Sequence, residues 1–212
     1  MHNFSTILIL APHTDDGEIG CGGTINRLIE ENKDVYYAAF STARTSVRPD
    51  FPDNVLEIEV KAATKVLGIP PERLLIFDYP VRHFPEHRQA ILQDLIDLRK
   101  QIHPDLILTP SPHDIHQDHQ VIAAEGLRAF KRHTILGYEE PWNNIVFETR
   151  CFIMLKERHI EKKVEALHCY KSQLHRSYLD ADFIWSQARM RGTQIEGGYA
   201  EAFEILRWVV KF

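Results

Sequence analysis

Short apolar runs alternate along the first two thirds of the chain with longer segments in which apolar residues recur every three or four positions. Four of these runs have the length and branched side chains of strands buried on both faces of a parallel sheet. They lie at 7–10, 35–40, 74–77 and 105–109. The amphipathic segments between and after them predict four helices. These span about 19–29, 54–67, 85–102 and 118–131.

The last third of the chain has a weaker pattern. Its apolar stretches favour two strands and one helix, at 135–138, 147–155 and 160–170. Residues 189–198 are polar and contain glycine, which indicates a loop, and 202–210 is interpreted as a helical turn followed by an edge strand. Because strands alternate with helices and no linker is apparent, we expect one α/β domain over residues 1–212. The predicted fold is Rossmann-like, with three layers and a mostly parallel sheet.

Composition narrows the classes of partner. The chain has 212 residues, of which 44% are hydrophobic, enough for a buried core. Its net charge is −5 and the basic residues are scattered, which argues against nucleic acid as a partner. The first apolar run is too short for a signal peptide or a membrane span. The 3 cysteines are widely spaced, so neither a disulfide framework nor a thiolate zinc site is indicated. We therefore expect a cytoplasmic protein.

Two polar clusters directly follow predicted strands. His13, Asp15 and Asp16 come after the first strand, and His116 and His119 come after the fourth. Loops that leave neighbouring parallel strands in the same direction approach each other where the strand order reverses. Either cluster alone would be typical of a turn or a helix cap. Two clusters with complementary ligand types, each at a strand end, favour a metal site.

The residue types match a catalytic zinc centre, which uses three protein ligands and leaves one position for water, whose pKa falls to about 7. His13, Asp16 and His119 are the predicted ligands. Asp15 is the predicted general base, which takes a proton from water and passes it to the leaving group. His116 is expected to stabilise the developing oxyanion.

Residues behind the ligands and the identity of the metal follow from the same chemistry. Asp118 or Asp114 is expected to assist catalysis by orienting a histidine through its second ring nitrogen. Two histidines and a carboxylate suit Zn²⁺ and also Fe²⁺, Mn²⁺ or Co²⁺. The glycine-rich stretch 17–23 lacks the spacing of a dinucleotide fingerprint, and the preceding aspartates would repel a pyrophosphate.

These clusters resemble the motifs of the PIG-L/LmbE family of metal-dependent N-deacetylases. The first family motif, roughly Ala-His-Pro-Asp-Asp-Glu with Gly-Gly soon after, is similar to 12–16 followed by 22–23. The second, His-x-Asp-His, stands at 116–119, and weaker similarity continues at 170–173 and 199–203. The resemblance therefore spans essentially the whole chain.

The resemblance implies the same roles that the residue types suggested: His13, Asp16 and His119 binding zinc, Asp15 as general base, and His116 stabilising the tetrahedral intermediate. The chain departs from the family motif in two places. Thr14 replaces the usual proline, and Gly17 replaces the usual glutamate, although an acidic residue, Glu18, follows one place later.

By the same resemblance, the substrate is expected to be an N-acetylated amino sugar or sugar conjugate. If the substrate is anionic, Arg44, Arg48 and Arg82 lie in predicted rim loops and can bind a phosphate or carboxylate bidentately. Two alternatives stay open: a non-catalytic Rossmann-type protein that binds a nucleotide or sugar, and an amidase for a non-sugar N-acyl compound. Homo-oligomerisation is also open, with Trp142 and Trp208 as candidates for either subunit contacts or core packing.

Overall fold

The structure is a computed structural model and describes residues 4–210. Its strands are β1 (Thr6–His13), β2 (Asp34–Ser41), β3 (Leu74–Ile76), β4 (Leu106–Pro110), β5 (Thr134–Tyr138), β6 (Cys151–Leu155) and β7 (Tyr199–Arg207). Its helices are α1 (Asp16–Glu30), α2 (Val55–Leu67), α3 (Phe84–Ile102), α4 (Gln117–Ala129), α5 (Glu157–Leu167) and α6 (Ala181–Thr193). None of these helices is both long enough and apolar enough to cross a bilayer.

All seven strands form one sheet in the order β3-β2-β1-β4-β5-β7-β6. The first five strands in this order are parallel, and β7 is antiparallel to both of its neighbours. The prediction of a Rossmann-like α/β fold is confirmed. From β1 the chain builds the sheet outward through β2 to β3 and then crosses to β4 on the other side. The strand order thus reverses between β1 and β4, where ligands bind in folds of this type.

Burial on both faces of the sheet explains the continuous apolar runs in the sequence. Along β1, Ile7 and Ile9 pack in the hydrophobic cluster on the side of α1, α2, α5 and α6. The alternate residues Leu8 and Leu10 pack on the opposite side, against α3 and α4. All four side chains are fully buried. The central strands therefore hold the loops at their carboxyl ends on a rigid base.

The prediction for the end of the chain was wrong in two respects. Helix α6 includes part of the segment 189–198 that was predicted to be a loop. The helical turn predicted at the start of 202–210 is absent, because β7 runs through these residues. Strand β7 lies inside the sheet between β5 and β6 and is not an edge strand. The apolar run expected of a buried strand is interrupted in β7 by two glutamates, which are buried because they are hydrogen-bonded. Glu201 accepts hydrogen bonds from the backbone of α1, and Glu204 accepts one from Ser111. The strand predicted at 147–155 is shorter, beginning at Cys151.

Candidate active site

A cavity of about 320 Å³ lies at the carboxyl ends of β1 and β4, where the strand order reverses. Strand β1 ends at His13, and α1 begins three residues later at Asp16. On the other side of the reversal, His116 caps the first turn of α4, which carries His119. The two polar clusters predicted to meet are thus brought together, and Asp15 also lines the cavity.

Three side-chain atoms converge in the cavity. His13 Nδ1 lies 3.1 Å from Asp16 Oδ2, and His119 Nε2 lies 3.3 Å from each of these atoms. A tetrahedral ion whose ligands lie at about 2.0–2.1 Å holds them about 3.3 Å apart. The triangle formed by these three atoms therefore has the dimensions of one face of a tetrahedral metal site.

Buried carboxylates fix the orientation of both histidine rings. His13 Nε2 lies 3.0 Å from Asp118 Oδ2, and His119 Nδ1 lies 2.8 Å from Asp114 Oδ2. In each neutral ring the N–H points to the carboxylate, and the other nitrogen presents its lone pair to the centre. Each carboxylate predicted to orient a histidine therefore contacts one.

Asp118 lies behind His13 and does not reach the cavity. It is fully buried, so we interpret it as a positioning residue, in line with its predicted role of orienting a histidine. Besides His13, its carboxylate accepts hydrogen bonds from the backbone N–H of Arg82 at 2.6 Å and of Phe84 at 3.2 Å. Asp118 thus ties the loop after β3 to the candidate site.

The electrostatics of the centre favour a positive charge. Burial lowers the pKa of His13, but the charge of Asp16 and the hydrogen bonds that the ring donates to Asp118 and Asp16 outweigh burial and raise the pKa to about 9. Burial likewise lowers the pKa of His119, but nearby carboxylates raise it well above its usual value. Burial would raise the pKa of Asp16, yet the two histidines hold it well below its usual range. A donor set that draws positive charge to its centre fits a divalent cation.

Asp15 has the environment of a general base. It precedes α1 as the N-cap residue, but its carboxylate makes no capping hydrogen bond and remains available to the cavity. Burial raises the pKa of Asp15, the charge of Asp16 raises it further, and His13 opposes the rise, giving a pKa of about 6. A carboxylate with a pKa close to neutrality can both accept and release a proton.

His116 presents a neutral ring to the same cavity. Its Nδ1 accepts a hydrogen bond from the backbone N–H of Asp118 at 3.2 Å, so the neutral ring carries its proton on Nε2. Burial, together with the charges of His119 and His13, lowers the pKa of His116 to about 4. The ring is therefore suited to donate a hydrogen bond at neutral pH.

The three predicted substrate-binding arginines lie in different places. Arg44 pairs with Asp78 at 3.4 Å, and Arg48 pairs with Asp50 at 3.0 Å. Neither Arg44 nor Arg48 lines the cavity, so the structure does not support a substrate contact for either residue. The turn that begins at Arg44 brings Ser46 to the cavity in its place. Arg82 does line the cavity, as predicted for its loop.

Sequence reasoning missed Glu140, which follows β5 at the same edge of the sheet. Its side chain is 2% exposed, and Oε1 has no hydrogen-bond partner among the described residues. Oε1 lies 3.7 Å from His119 Nδ1. Burial and the charge of Asp16 raise the pKa of Glu140 well above its usual value. Its position directly after a buried strand was the same signal that identified the first two clusters.

A further group of cavity residues comes from the last third of the chain and was also missed. Its members lie in the loop after β5 or between α5 and α6, and are Trp142, Asn143, Gln173, Arg176 and Tyr178. Only Gln173 falls in a motif that resembles the family, at 170–173. No periodicity marks the other members, because the segments that hold them are irregular.

The sequence and the fold are similar to those of known proteins. Residues 8–130 match the family described as PIG-L, GlcNAc-PI de-N-acetylase. The uncharacterised deacetylase YaiS of Escherichia coli (strain K12) is 30% identical over 176 residues, which cover 78% of this chain and 90% of YaiS.

Solved structures share the fold at lower identity. N,N'-diacetylchitobiose deacetylase from Pyrococcus horikoshii superposes with a TM-score of 0.81 at 19% identity, covering 97% of this chain and 85% of the other. GalB, the 4-carboxy-2-hydroxymuconate hydratase from Pseudomonas putida KT2440, superposes with a TM-score of 0.79 at 17% identity, covering 98% of each chain. Because these two proteins carry out different reactions, the shared fold alone does not assign one. The family match, which covers more than half of the sequence and includes both histidine clusters, shows that this chain belongs to the PIG-L family of de-N-acetylases.

Proposed function

We propose that this protein is a metal-dependent hydrolase that removes the acetyl group from an N-acetylated amino sugar or sugar conjugate. The observation that carries the proposal is the triangle of His13 Nδ1, Asp16 Oδ2 and His119 Nε2, with the carboxylate of Asp15 beside it at the cavity. Membership of a deacetylase family supports the reaction type. The description of that family, GlcNAc-PI de-N-acetylase, supports an N-acetylated sugar conjugate as substrate.

His13, Asp16 and His119 would hold the metal, with Zn²⁺ as first choice and Fe²⁺, Mn²⁺ or Co²⁺ as alternatives for this donor set. Such an ion, when bound, supplies a Lewis acid and makes water a nucleophile at neutral pH. Asp118 and Asp114 hold the two rings so that their lone pairs stay directed at the centre. The outer carboxylates therefore determine the geometry of the ligand set.

Two residues move or donate protons in the proposed reaction. Asp15 accepts a proton from the attacking water and then delivers it to the amide nitrogen as the C–N bond breaks, which releases acetate and a free amine. The Nε2–H of His116 donates a hydrogen bond to the carbonyl oxygen as negative charge develops there. Both groups line the cavity in the required protonation state near neutral pH.

We further propose that residues 1–212 act as one deacetylase domain in the cytoplasm. The cysteines Cys21, Cys151 and Cys169 are free thiols, which is typical of a reducing compartment. A homo-oligomer is compatible with this proposal. Trp142 stacks on Tyr178 within the subunit, whereas Trp208 is 55% exposed.

The test is metal analysis of the purified protein combined with acetate release from a panel of N-acetylglucosamine conjugates. We expect Asp15→Asn to keep the metal and to lose about 10²- to 10⁴-fold in kcat, the usual contribution of a general base. His13→Ala should lose metal affinity as well as activity. Asp53→Asn is the control, because this exposed residue makes no hydrogen bond or ion pair with the described residues.

Each alternative gives a different result. Full activity of Asp15→Asn would show that another group is the base. Wild-type protein that binds no metal, releases no acetate and binds a nucleotide or sugar would support the non-catalytic alternative. Acetate release only from non-sugar acylamines would keep the chemistry and replace the substrate class.

A further inference from the structure

Arg176 is a cation at the cavity that has no acidic partner among the described residues. Its Nε donates a hydrogen bond to Gln173 Oε1 at 2.9 Å, and its guanidinium lies 5.7 Å from the ring centre of Tyr178. Within residues 4–210, no carboxylate lies within ion-pair distance, and its two terminal nitrogens have no hydrogen-bond acceptor. The two terminal nitrogens of the guanidinium are therefore available to a ligand.

Most of the described arginines pair with a carboxylate. Examples are the largely buried pair of Arg191 with Glu139 and the pair of the half-exposed Arg88 with the buried Glu125. Among the described arginines that have no carboxylate partner, only Arg82 and Arg176 line the cavity. The centre of the cavity is rich in carboxylates and would repel an anion. Unpaired cations at its edge would offset that repulsion.

A buried network holds Arg176 in place. Glu59 on α2 accepts hydrogen bonds from the backbone N–H and hydroxyl of Ser172, at 2.9 and 2.6 Å. The side-chain amide of Gln173 donates to the Ser172 hydroxyl at 3.1 Å, which directs its carbonyl oxygen to Arg176. Glu59, Ser172 and Gln173 are all buried. Arg176 is itself exposed, and this buried network fixes the position of the oxygen that its Nε contacts. This contact reduces the entropic cost of ordering the guanidinium when a ligand binds.

A flat aromatic wall stands beside this cation. The rings of Trp142 and Tyr178 stack with centroids 3.9 Å apart and an interplanar angle of 12°, and both residues line the cavity. An aromatic face of this kind offers an apolar surface to the C–H groups of a sugar ring. Arg176 and the candidate base Asp15 line the same cavity.

We propose that Arg176 binds an anionic substituent, a carboxylate or a phosphate, on an N-acetylated sugar whose ring packs against Trp142. The proposal rests on the proposed deacetylase function and narrows its substrate class to anionic sugar conjugates. A guanidinium presents parallel N–H groups that match two oxygens of either anion. Arg82, from the loop after β3, is the second cation that lines the cavity.

The test compares three substrates: N-acetylglucosamine 1-phosphate, the carboxymethyl glycoside of N-acetylglucosamine, and its neutral methyl glycoside. The measured quantity is the ratio of kcat/KM for each anionic substrate to that for the neutral one, because any effect on Asp15 cancels in this ratio. We expect wild type to prefer an anionic substrate and Arg176→Gln to lower the ratio by about 10- to 100-fold. The anion with the larger loss identifies phosphate or carboxylate as the group bound.

Arg189→Gln is the matched control. Arg189 is exposed, lies over a tyrosine ring at 5.6 Å and has no carboxylate partner among the described residues, but it does not line the cavity. It should leave the ratio unchanged. Arg176→Lys keeps the positive charge but removes the parallel N–H donors of the guanidinium. It should therefore retain only part of the preference for the anionic substrates.

The outcomes separate this proposal from the one on which it rests. A wild type that hydrolyses all three substrates without preference, or an Arg176→Gln variant that loses equally on all, would overturn the role of Arg176 alone. If no substrate is hydrolysed, the deacetylase proposal fails. In that case, calorimetry with glucosamine 1-phosphate and glucosamine still decides whether Arg176 binds an anion. Binding of the phosphate that survives Arg176→Gln would overturn the inference.

Discussion

Glu18 is a fully buried carboxyl directly beneath the loop that carries His13 and Asp15. Its two oxygens contact the hydroxyls of Tyr37 and Tyr170, the latter at 3.0 Å. The same two hydroxyls lie 2.9 and 2.7 Å from the carbonyl oxygen of Thr14. Burial raises the pKa of Glu18 to about 8, although the tyrosine hydrogen bonds oppose the rise. A protonated Glu18 therefore belongs to a network that supports the candidate catalytic loop.

The raised pKa makes stability depend on pH. The folded state holds the Glu18 proton up to about pH 8, whereas the unfolded chain releases it near pH 4.5. The contribution of Glu18 to the free energy of unfolding is fully present below about pH 4.5 and is lost as the pH rises to about 8. Relative to Glu18→Gln, which stays neutral, wild type should lose about 1.4 kcal/mol of unfolding free energy per pH unit between about pH 5 and 8. Urea denaturation at several pH values measures this difference, and parallel curves for the two proteins would contradict it.

At the scale of elements, the start of α1 depends on a close approach to β2. The Tyr37 hydroxyl on β2 accepts a hydrogen bond from the backbone N–H of Gly17 at 3.1 Å. A Cβ atom at Gly17 would lie 2.5 Å from a ring carbon of Tyr37. This contact explains why glycine stands where the family motif has glutamate.

Gly17→Ala should therefore displace either Tyr37 or the first turn of α1, which carries Asp16. We expect a loss of about 1–3 kcal/mol in unfolding free energy, the usual cost of overpacking. Metal affinity should fall with it, because Asp16 would move. The control is Gly198→Ala, where no atom lies within 4 Å of an added Cβ. Equal stability losses in the two variants would contradict the role of the Tyr37 contact.

At the scale of the whole molecule, the last third of the chain completes the sheet begun by the first two thirds. Strand β7 pairs with β5 and with β6, so residues far apart in sequence share one ladder of hydrogen bonds. On the face of the sheet that carries α1, the buried residues of α1, α2 and α5 belong to one hydrophobic cluster. The loops from this last third also complete the cavity.

This arrangement predicts cooperative unfolding of one unit. All 3 tryptophans, Trp142, Trp185 and Trp208, lie in the last third, so tryptophan fluorescence follows that part alone. Far-UV circular dichroism follows the helices and strands of the whole chain. The two signals should give coincident transitions in urea. A fluorescence transition at clearly lower urea would show that the last third unfolds as a separate unit.

Two kinds of site residue differ in how far the sequence could identify them. His13, Asp16 and His119 could be named because each stands in a short polar cluster directly after a buried strand. The sequence could not show which of Arg44, Arg48 and Arg176 faces the cavity. A rim loop can turn an arginine toward the cavity or toward a surface carboxylate. The ion pairs with Asp78 and Asp50 decide that choice for the first two.

The sequence by itself determined the alternation of strands and helices, the parallel centre of the sheet and the polar clusters at two strand ends. These features are local: each follows from periodicity or from a few adjacent residues. Only the tertiary structure decided that β7 enters the sheet beside β5, that Glu140 lies at His119, and that Arg176 reaches the cavity without a carboxylate partner among the described residues. Each of these depends on contacts between segments far apart in the chain, and local sequence patterns do not specify which distant segments meet.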